Sequence, residues 1–343
     1  MTRIQMLGLC RFSYLGGRGF QVEHESLEDR RAFLYDPERL ARRWFWFENV
    51  TLPGLVAQTD PDFTLVLMTG PDLPEPYLSR LRELTELMPQ FKLALVPPMD
   101  RHLDACMAAI RPHLDPDAEI VGHFRQDDDD AVAVDYIQHA RRDFAMMRPL
   151  WKARRRLSCD YSRGLVLKAT GQGISVEPRM IYNAVAGLTV YLPPDAERSI
   201  MHFPHWKIGL SMPGVTLPGK VMFVRFLNHD NDSGAIGAGY AWEGDPDTWQ
   251  ALLAERFRID LPTIDRAARG ADEAVVLDWK TTWALPPARD ENADDPGVSY
   301  HGYFQQMFYA WLVMRNYPSL NAVTLREFYV YRTKARSARV TRD

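Results

Sequence analysis

Apolar strand patterns alternate with amphipathic helix patterns over the first 150 residues. Short β-rich runs are predicted as strands over residues 4–14, 63–68 and 91–96. Leucine recurs at every third position within residues 77–88, which predicts a helix, and a second helix is predicted over residues 39–56 with an interruption at Pro53. This alternation favours an α/β fold in which helices cover both faces of a mostly parallel sheet.

The pattern changes after about residue 157. Predicted strands over residues 164–169, 180–192 and 221–226 are separated by proline and glycine, and a helix is predicted over residues 249–257. Beyond Pro262 come a predicted strand (residues 273–277) and an apolar helix (residues 300–314). We therefore predict one domain over residues 1–262 and a second segment over residues 263–343.

The composition indicates a folded globular protein. The chain has 343 residues, of which 46% are hydrophobic, enough for a substantial core. A formal net charge of -4 gives no general attraction to nucleic acid or to membranes. The three cysteines lack CxxC spacing, and no apolar run approaches the ~18 residues of a membrane span. We expect a cytoplasmic protein without a disulfide framework, a structural zinc site or a transmembrane segment.

Four consecutive aspartates, Asp127 to Asp130, lie between a strand pattern and a helix pattern. Adjacent carboxylates repel one another, and ligands of α/β sheets bind at the carboxyl ends of strands. One interpretation is a solvated helix start with Asp130 as the N-cap. We favour a metal site in which Asp127 and Asp129 bind one Mg²⁺ or Mn²⁺ ion and Asp130 orients them, because hard divalent cations prefer oxygen ligands.

Four motifs, in this order, resemble a known family. They are LPGLVAQTDPDFTLVLMTG at residues 52–70, RQDDDDA at 125–131, FPHWKIG at 203–209 and NHDNDS at 228–233. Together they resemble a rhamnosyltransferase family of bacterial glycosyltransferases with a GT-A fold. The resemblance implies a nucleotide-sugar donor, a divalent metal bound through an Asp-x-Asp motif, and transfer of a sugar, with rhamnose as a candidate, to a carbohydrate or lipid-linked acceptor.

Departure of a nucleoside diphosphate builds negative charge on the leaving phosphate, so cationic groups are expected beside it. The residues predicted to contact the donor are Arg11, Arg125, His205 and Lys207. The candidate catalytic residues are His229, Asp230 and Asp232, the two carboxylates being candidates for the base that removes the acceptor proton. The alternatives are a packed or surface histidine at either histidine position and an Asx-rich turn over residues 228–232.

Residues 263–283 and 304–313 resemble part of a RecB-like nuclease core of the PD-(D/E)xK superfamily. The matching residues are Asp265 and Asp278 as Mg²⁺ ligands, Lys280 beside the attacking water, and Gln305 with Tyr309 on one helix face. The helix and strand that normally open this core are missing, so we predict a truncated segment. It is the only part expected to contact nucleic acid, and an ordinary buried strand and helix is the alternative.

Overall fold

The computed structural model describes residues 3–17, 24–228, 230–231 and 239–269, together with the backbone of three strands within residues 273–341. The chain divides into two compact units. One comprises Met1–Ala169 with Ser175–Asp260, and the other comprises Thr170–Ile174 with Leu261–Asp343. The predicted assignment of residues 1–262 and 263–343 to a transferase-like domain and a nuclease-like segment stays a prediction.

The strands are β1 (Ile4–Arg11), β2 (Thr64–Thr69), β3 (Phe91–Leu95), β4 (Ile120–Asp127), β5 (Ala131–Val132), β6 (Leu157–Asp160), β7 (Arg163–Thr170), β8 (Gly173–Met180), β9 (Leu188–Leu192), β10 (Gly214–Thr216), β11 (Phe223–Leu227), β12 (Tyr240–Ala241), β13 (Glu273–Lys280), β14 (Ala322–Tyr329) and β15 (Lys334–Thr341). The α-helices are α1 (Leu27–Leu34), α2 (Pro37–Trp46), α3 (Leu52–Val56), α4 (Tyr77–Leu87), α5 (His102–Ile110), α6 (Tyr136–Arg154), α7 (Trp249–Phe257) and α8 (Leu261–Ala268). Short 3₁₀ helices cover Arg111–His113, Val185–Gly187, Ile200–His202, His205–Leu210 and Pro246–Thr248, and Phe47–Thr51 is π-helical.

A seven-stranded sheet forms the centre of the larger unit, in the order β10-β6-β9-β4-β1-β2-β3. β1 pairs in parallel with β2 and with β4, whereas β9 is antiparallel to β4 and to β6. The predicted α/β class with a mostly parallel sheet is confirmed. Gly8 permits the tight packing of β1, because a Cβ there would lie 2.3 Å from the Phe124 ring.

A five-stranded sheet, in the order β12-β8-β7-β11-β5, is continuous in sequence with the first sheet through the acidic run. β4 ends at Asp127 and β5 begins at Ala131, so the aspartates lie at the carboxyl end of a strand, as predicted. The N-cap interpretation of Asp130 is wrong, because α6 begins only at Tyr136, after Asp135. The aspartates join two sheets and do not start a helix.

The predicted helix over residues 39–56 begins earlier and contains a π-helical stretch. Pro37 and the Asp36 side chain, which accepts the Arg39 N–H at 2.8 Å, begin α2. The π-helical turn follows α2 and continues into α3 without leaving helical φ/ψ. Pro53 occupies the first turn of α3 and lacks the N–H that a regular helix would bond to a carbonyl four residues earlier. The interruption predicted at Pro53 therefore falls just before it.

The predicted strand over residues 180–192 is wrong, because β8 ends at Met180 and β9 begins at Leu188. The connection contains Asn183 at φ 54°, in the left-handed region that asparagine tolerates better than most residues. A local sequence pattern of apolar residues does not reveal this turn. The backbone carbonyl of Asn183 in this turn lies 2.9 Å from Nδ1 of His205.

The smaller unit contains a three-stranded sheet in the order β13-β14-β15, with β13 parallel and β15 antiparallel to β14. The predicted strand over residues 273–277 is present and extends to Lys280. The predicted helix over residues 300–314 lies outside the described residues. Within the part of the chain that is described, no helix has both the length and the hydropathy to cross a bilayer.

Replacement of Gly54 by alanine should destabilise the larger unit. A Cβ at Gly54 would lie 2.3 Å from the Val132 carbonyl oxygen, a backbone atom. Alanine normally favours a helix over glycine by about 1 kcal/mol, but overpacking costs about 1–3 kcal/mol. We expect urea denaturation to show a net loss of about 1 kcal/mol. Gly219→Ala, with nothing within 4 Å, is the control, and an equal midpoint for both variants would contradict the close approach.

Candidate functional site

A cavity of about 430 Å³ opens at the carboxyl ends of β1 and β4. Among the described residues that line it, arginines outnumber aspartates six to four. These charged residues are Arg11, Arg30, Arg39, Arg43, Arg125, Arg225, Asp127, Asp128, Asp129 and Asp230. The excess of guanidinium groups makes the cavity suited to an anion.

Asp127 is the last residue of β4 and faces three guanidiniums. Arg125 donates to it in a bidentate manner, with Nε–Oδ1 at 3.0 Å and Nη2–Oδ2 at 3.1 Å. Arg11 lies beside Asp127 in the β1/β4 register and reaches Oδ1 at 3.4 Å, and Arg225 lies 3.7 Å from Oδ2. Burial opposes ionisation, but these three arginines lower the pKa of Asp127 well below its usual range. Asp127 is therefore ionised.

Arg43 of α2 pairs with the next two aspartates. Its Nη1 donates to Asp129 Oδ2 at 3.0 Å, and its Nε and Nη2 both donate to Asp128. The side-chain amides of Asn228 and Asn231 also donate to Asp129 Oδ2, at 2.9 and 2.6 Å. All three charged side chains are buried, so α2 is fixed to the acidic run by charge pairing.

Asp130 is buried and lies outside the cavity lining. Its Oδ1 accepts the Phe226 N–H at 3.0 Å and its Oδ2 accepts from Arg225 Nη1 at 2.8 Å. Asp130 therefore holds Arg225 of β11, which in turn faces Asp127. Its predicted role of orienting metal ligands stays a prediction, and its observed role is to position an arginine.

His102 holds Arg11 from the other side. Its Nε2 lies 3.0 Å from Arg11 Nη1. Burial and the nearby charges of Arg11, Arg125 and Arg30 lower the pKa of His102 to about 3, so the ring is neutral and Nε2 accepts from the guanidinium. His102 orients Arg11 without adding charge.

The structure brings together most of the predicted donor-binding residues. Arg11, Arg125 and His205 all line the cavity, whereas Lys207 is exposed in the same 3₁₀ helix as His205 and is absent from the described lining. Asp230 also lines the cavity, but both of its carboxylate oxygens accept from Arg42, at 3.0 and 3.1 Å.

His229 and Asp232, two of the three predicted catalytic residues, lie outside the described residues. The same holds for Arg18 and Gly19, which with Gly16 and Gly17 form a glycine-rich stretch after β1. The Gly17 N–H donates to the Met99 carbonyl at 3.0 Å. The roles predicted for His229 and Asp232 stay predictions.

The predicted metal ligands have suitable chemistry. Asp127 and Asp129 offer the carboxylate oxygens that Mg²⁺ and Mn²⁺ prefer. Within the described ranges, no group of three or more His, Cys, Asp or Glu side chains is placed to hold an ion. Mg²⁺, however, is commonly held by one or two carboxylates and completed by substrate phosphates and water. The residues thus fit an ion that arrives with a diphosphate.

Arg43 and Arg225 were not predicted as site residues. Each interrupts an apolar pattern: Arg43 lies on the face of α2 that buries Leu40 and Trp44, and Arg225 lies within the apolar run VMFVRF. A charged residue on a buried face needs an opposite charge. A charged residue on an otherwise apolar face is therefore the sequence signal that indicates Arg43 and Arg225 as partners of the acidic run.

Asp160 of β6 is a buried acid near the Asn183 turn. The Asn183 backbone and the Thr216 hydroxyl, 3.4 Å from Oδ2, favour its ionised form, but burial outweighs them and raises the pKa of Asp160 to about 7. The carboxyl group therefore takes up a proton near neutral pH.

Of the predicted nuclease residues, Asp265 is the one whose side chain belongs to the described part of the chain. Asp265 lies in α8, and its oxygens accept from Arg269 Nε and from the Ile174 N–H, both at 2.7 Å. Asp278 and Lys280 lie two positions apart on β13. Gln305 and Tyr309 lie outside the described residues. The nuclease interpretation stays a prediction.

The chain matches one protein family and is similar to several solved structures. The family described as "Putative rhamnosyl transferase" matches residues 5–240. Among solved structures, the chain is similar to S. aureus TarS 1–349 in complex with UDP-GlcNAc, with 9% identity, a TM-score of 0.35, and coverage of 68% of this chain and 62% of that chain. It is also similar to a putative nucleotide-diphospho-sugar transferase from Desulfovibrio desulfuricans G20, with 10% identity, a TM-score of 0.34, and coverage of 79% and 98%. No curated protein sequence matches.

The chain spans less than two thirds of the TarS structures that it matches. The covered share is 62% for TarS 1–349 with UDP-GlcNAc and 37% for a further TarS structure, which has 10% identity, a TM-score of 0.31 and coverage of 66% of this chain.

Removal of the Arg43 charge should destabilise the larger unit strongly. Arg43→Met would leave the carboxylates of Asp128 and Asp129 buried without their guanidinium, and breaking one side of a buried pair costs about 3–5 kcal/mol. Urea denaturation should show this loss. Adding Asp128→Asn should restore part of the stability, because one uncompensated charge is removed. A double variant no more stable than the single one would contradict the pairing.

Stability should depend on pH through Asp160. The folded-state pKa of about 7 lies above the ordinary 3.8, so the folded form binds the proton more tightly. The stabilisation from this group is full below 3.8 and is lost as the pH rises through about 7. The free energy of unfolding of the wild type should fall relative to that of Asp160→Asn over this window. A pH-independent difference between the two proteins would refute the assignment.

Proposed function

Because the chain belongs to the family described as "Putative rhamnosyl transferase", we propose that it is a glycosyltransferase that moves a sugar from a nucleoside diphosphate to an acceptor hydroxyl. The observation that supports this function most directly is the arginine-rich cavity at the carboxyl ends of β1 and β4, which Asp127, Asp128 and Asp129 also line. Rhamnose as the sugar rests on the family description. A carbohydrate or lipid-linked acceptor is part of the same proposal.

The diphosphate of the donor would face Arg11, Arg125 and Arg225. Planar guanidiniums bind phosphate through paired, charge-assisted hydrogen bonds. All three already meet at Asp127, so they converge without any rearrangement of the backbone. As the bond to the sugar breaks, negative charge grows on the leaving phosphate, and cations fixed beforehand stabilise that charge.

Asp127 and Asp129 are the residues that would hold a Mg²⁺ or Mn²⁺ ion, which would add positive charge beside the same phosphates. Arg11, Arg125 and Arg225, which now pair with Asp127, would turn toward the diphosphate, while Arg43 would stay with Asp128. Each buried charge would then keep an opposite partner, which matters because an unpaired buried charge is costly.

Calorimetry with UDP, GDP and dTDP tests the donor site. Arg11→Met should weaken binding of the preferred nucleoside diphosphate about 10- to 100-fold, since a hydrogen bond to a charged group contributes about 1.5–3 kcal/mol. Arg101→Met is the matched control, because Arg101 is exposed and lies outside the described lining of the cavity. Binding should strengthen when Mn²⁺ replaces EDTA, and Asp129→Asn should remove that gain.

Failure of the wild type to bind any of the three nucleotides, with or without Mn²⁺, would overturn the proposed function. A panel of dTDP-, GDP- and UDP-linked sugars that includes rhamnose then identifies the donor. Nucleotide binding that is insensitive to Mn²⁺ would overturn the metal proposal alone.

A further inference from the structure

His205 differs from His102 and His202, two further histidines of the cavity, in the state of its two ring nitrogens. Its Nδ1 lies 2.9 Å from the Asn183 carbonyl oxygen. A carbonyl only accepts, so Nδ1 carries the hydrogen of the neutral ring and Nε2 carries a lone pair. No described residue makes a hydrogen bond to Nε2. A proton acceptor is thus held in a fixed orientation in the wall of the cavity.

Two structural features fix the ring. The Asn183 carbonyl belongs to the turn with left-handed φ between β8 and β9, and the Trp206 indole packs against the imidazole edge to face, with centroids 5.3 Å apart and planes at 89°. Trp206 itself is 64% exposed and lines the cavity. An exposed aromatic beside a proton acceptor forms a suitable wall for the incoming acceptor molecule.

Three other candidates for a base in this cavity are already engaged. His202 accepts the Ser199 N–H at Nδ1, so its neutral ring carries the hydrogen on Nε2. His102 accepts from Arg11, and both oxygens of Asp230 accept from Arg42. Of these four side chains, His205 is the one whose lone pair has no donor among the described residues.

We propose that His205 is the general base of the transfer reaction, which deepens the proposed glycosyltransferase function and rests on it. The acceptor hydroxyl gives its proton to Nε2 as its oxygen forms a bond to the anomeric carbon of the sugar. The bond from that carbon to the diphosphate oxygen breaks, and the nucleoside diphosphate leaves with the electron pair. The sequence resemblance instead predicted that His205 contacts the donor.

The charges around His205 agree with this role. Burial lowers the pKa of His205, as do Arg125 and Arg225, while the Asn183 backbone and Asp127 oppose the shift. The ring is therefore neutral at neutral pH, the state in which it can take a proton. Arg125 and Asp127 come from β4 and Arg225 from β11, so the base lies within reach of the charges that would hold the diphosphate.

Hydrolysis of the donor, with water as the acceptor, tests the proposal before the natural acceptor is known. With the nucleotide sugar that the wild type turns over, His205→Gln should lower kcat about 100-fold or more, the usual effect of a lost general base. KM for the donor and the calorimetric affinity for the nucleoside diphosphate should stay within about threefold of the wild-type values, because a general base of this kind does not contribute to donor binding. His113→Gln, outside the described lining, is the control.

Two further measurements separate a base from a structural residue. The wild-type kcat should fall as the pH drops below the ordinary histidine range, because protonation removes the base, and His205→Gln should lack this limb. Added imidazole should restore part of the turnover of His205→Ala. Restoration is expected if the missing group is a proton acceptor. The proposal would be overturned if imidazole restored no turnover and if kcat of His205→Gln fell at low pH as it does in the wild type.

Other outcomes also decide the question. A wild type that turns over donor while His205→Gln is equally active overturns the base assignment alone. A variant that loses nucleoside diphosphate affinity but keeps its kcat would make His205 a donor-binding residue, against the proposal. An equal fall in kcat for His202→Gln would also count against it. A wild type that neither binds nucleotide nor turns over donor overturns the proposed function and this inference together.

Discussion

Compensation of four adjacent negative charges is the constraint on which the larger unit depends. The side chains of Asp127 to Asp130 can be buried together only if cations pair with the carboxylates or, as for Asp130, burial raises the pKa (here to about 7), because a single uncompensated buried charge costs several kcal/mol. Arginines from α2, β1 and β11 supply those cations, and β4 supplies another. Elements far apart in sequence are thereby joined at one point. The same guanidiniums also make the cavity attractive to a phosphate group.

The sequence predicted those parts of the fold that local patterns determine. Leucine spacing located α4, apolar periodicity located α7, and the strand before the acidic run ends where expected. The N-cap interpretation failed because it weighed only neighbours of Asp130. Its true partner, Arg225, is 95 residues away, and Arg43 is 85 residues from Asp128. An arginine that interrupts an apolar pattern shows locally that it needs an opposite charge, but no local pattern shows which carboxylate it will meet.

The candidate site shows the same limit at the level of single residues. The sequence predicted Arg11, Arg125 and His205 as donor-binding residues, and the structure places all three in one cavity. The chemistry of His205, however, follows from a carbonyl at Asn183, in a turn that divides what the sequence suggested was one strand. Which ring nitrogen holds the hydrogen depends on that turn. Residue type alone does not specify it.

The π-helical stretch at Phe47–Thr51 has a consequence for how the protein tolerates insertions and deletions. A π turn holds one more residue than an α turn, so it sets the rotation of α2 relative to α3. Losing one residue there would restore a regular α-helix and leave the rotation of α2 relative to α3 nearly unchanged, because the π turn is what absorbs the extra residue. Gaining one further residue would instead rotate one half by about 100° against the other, so that either Arg43 would leave the acidic run or Leu55 would leave the core. This segment should therefore tolerate the loss of one residue far better than the gain of one.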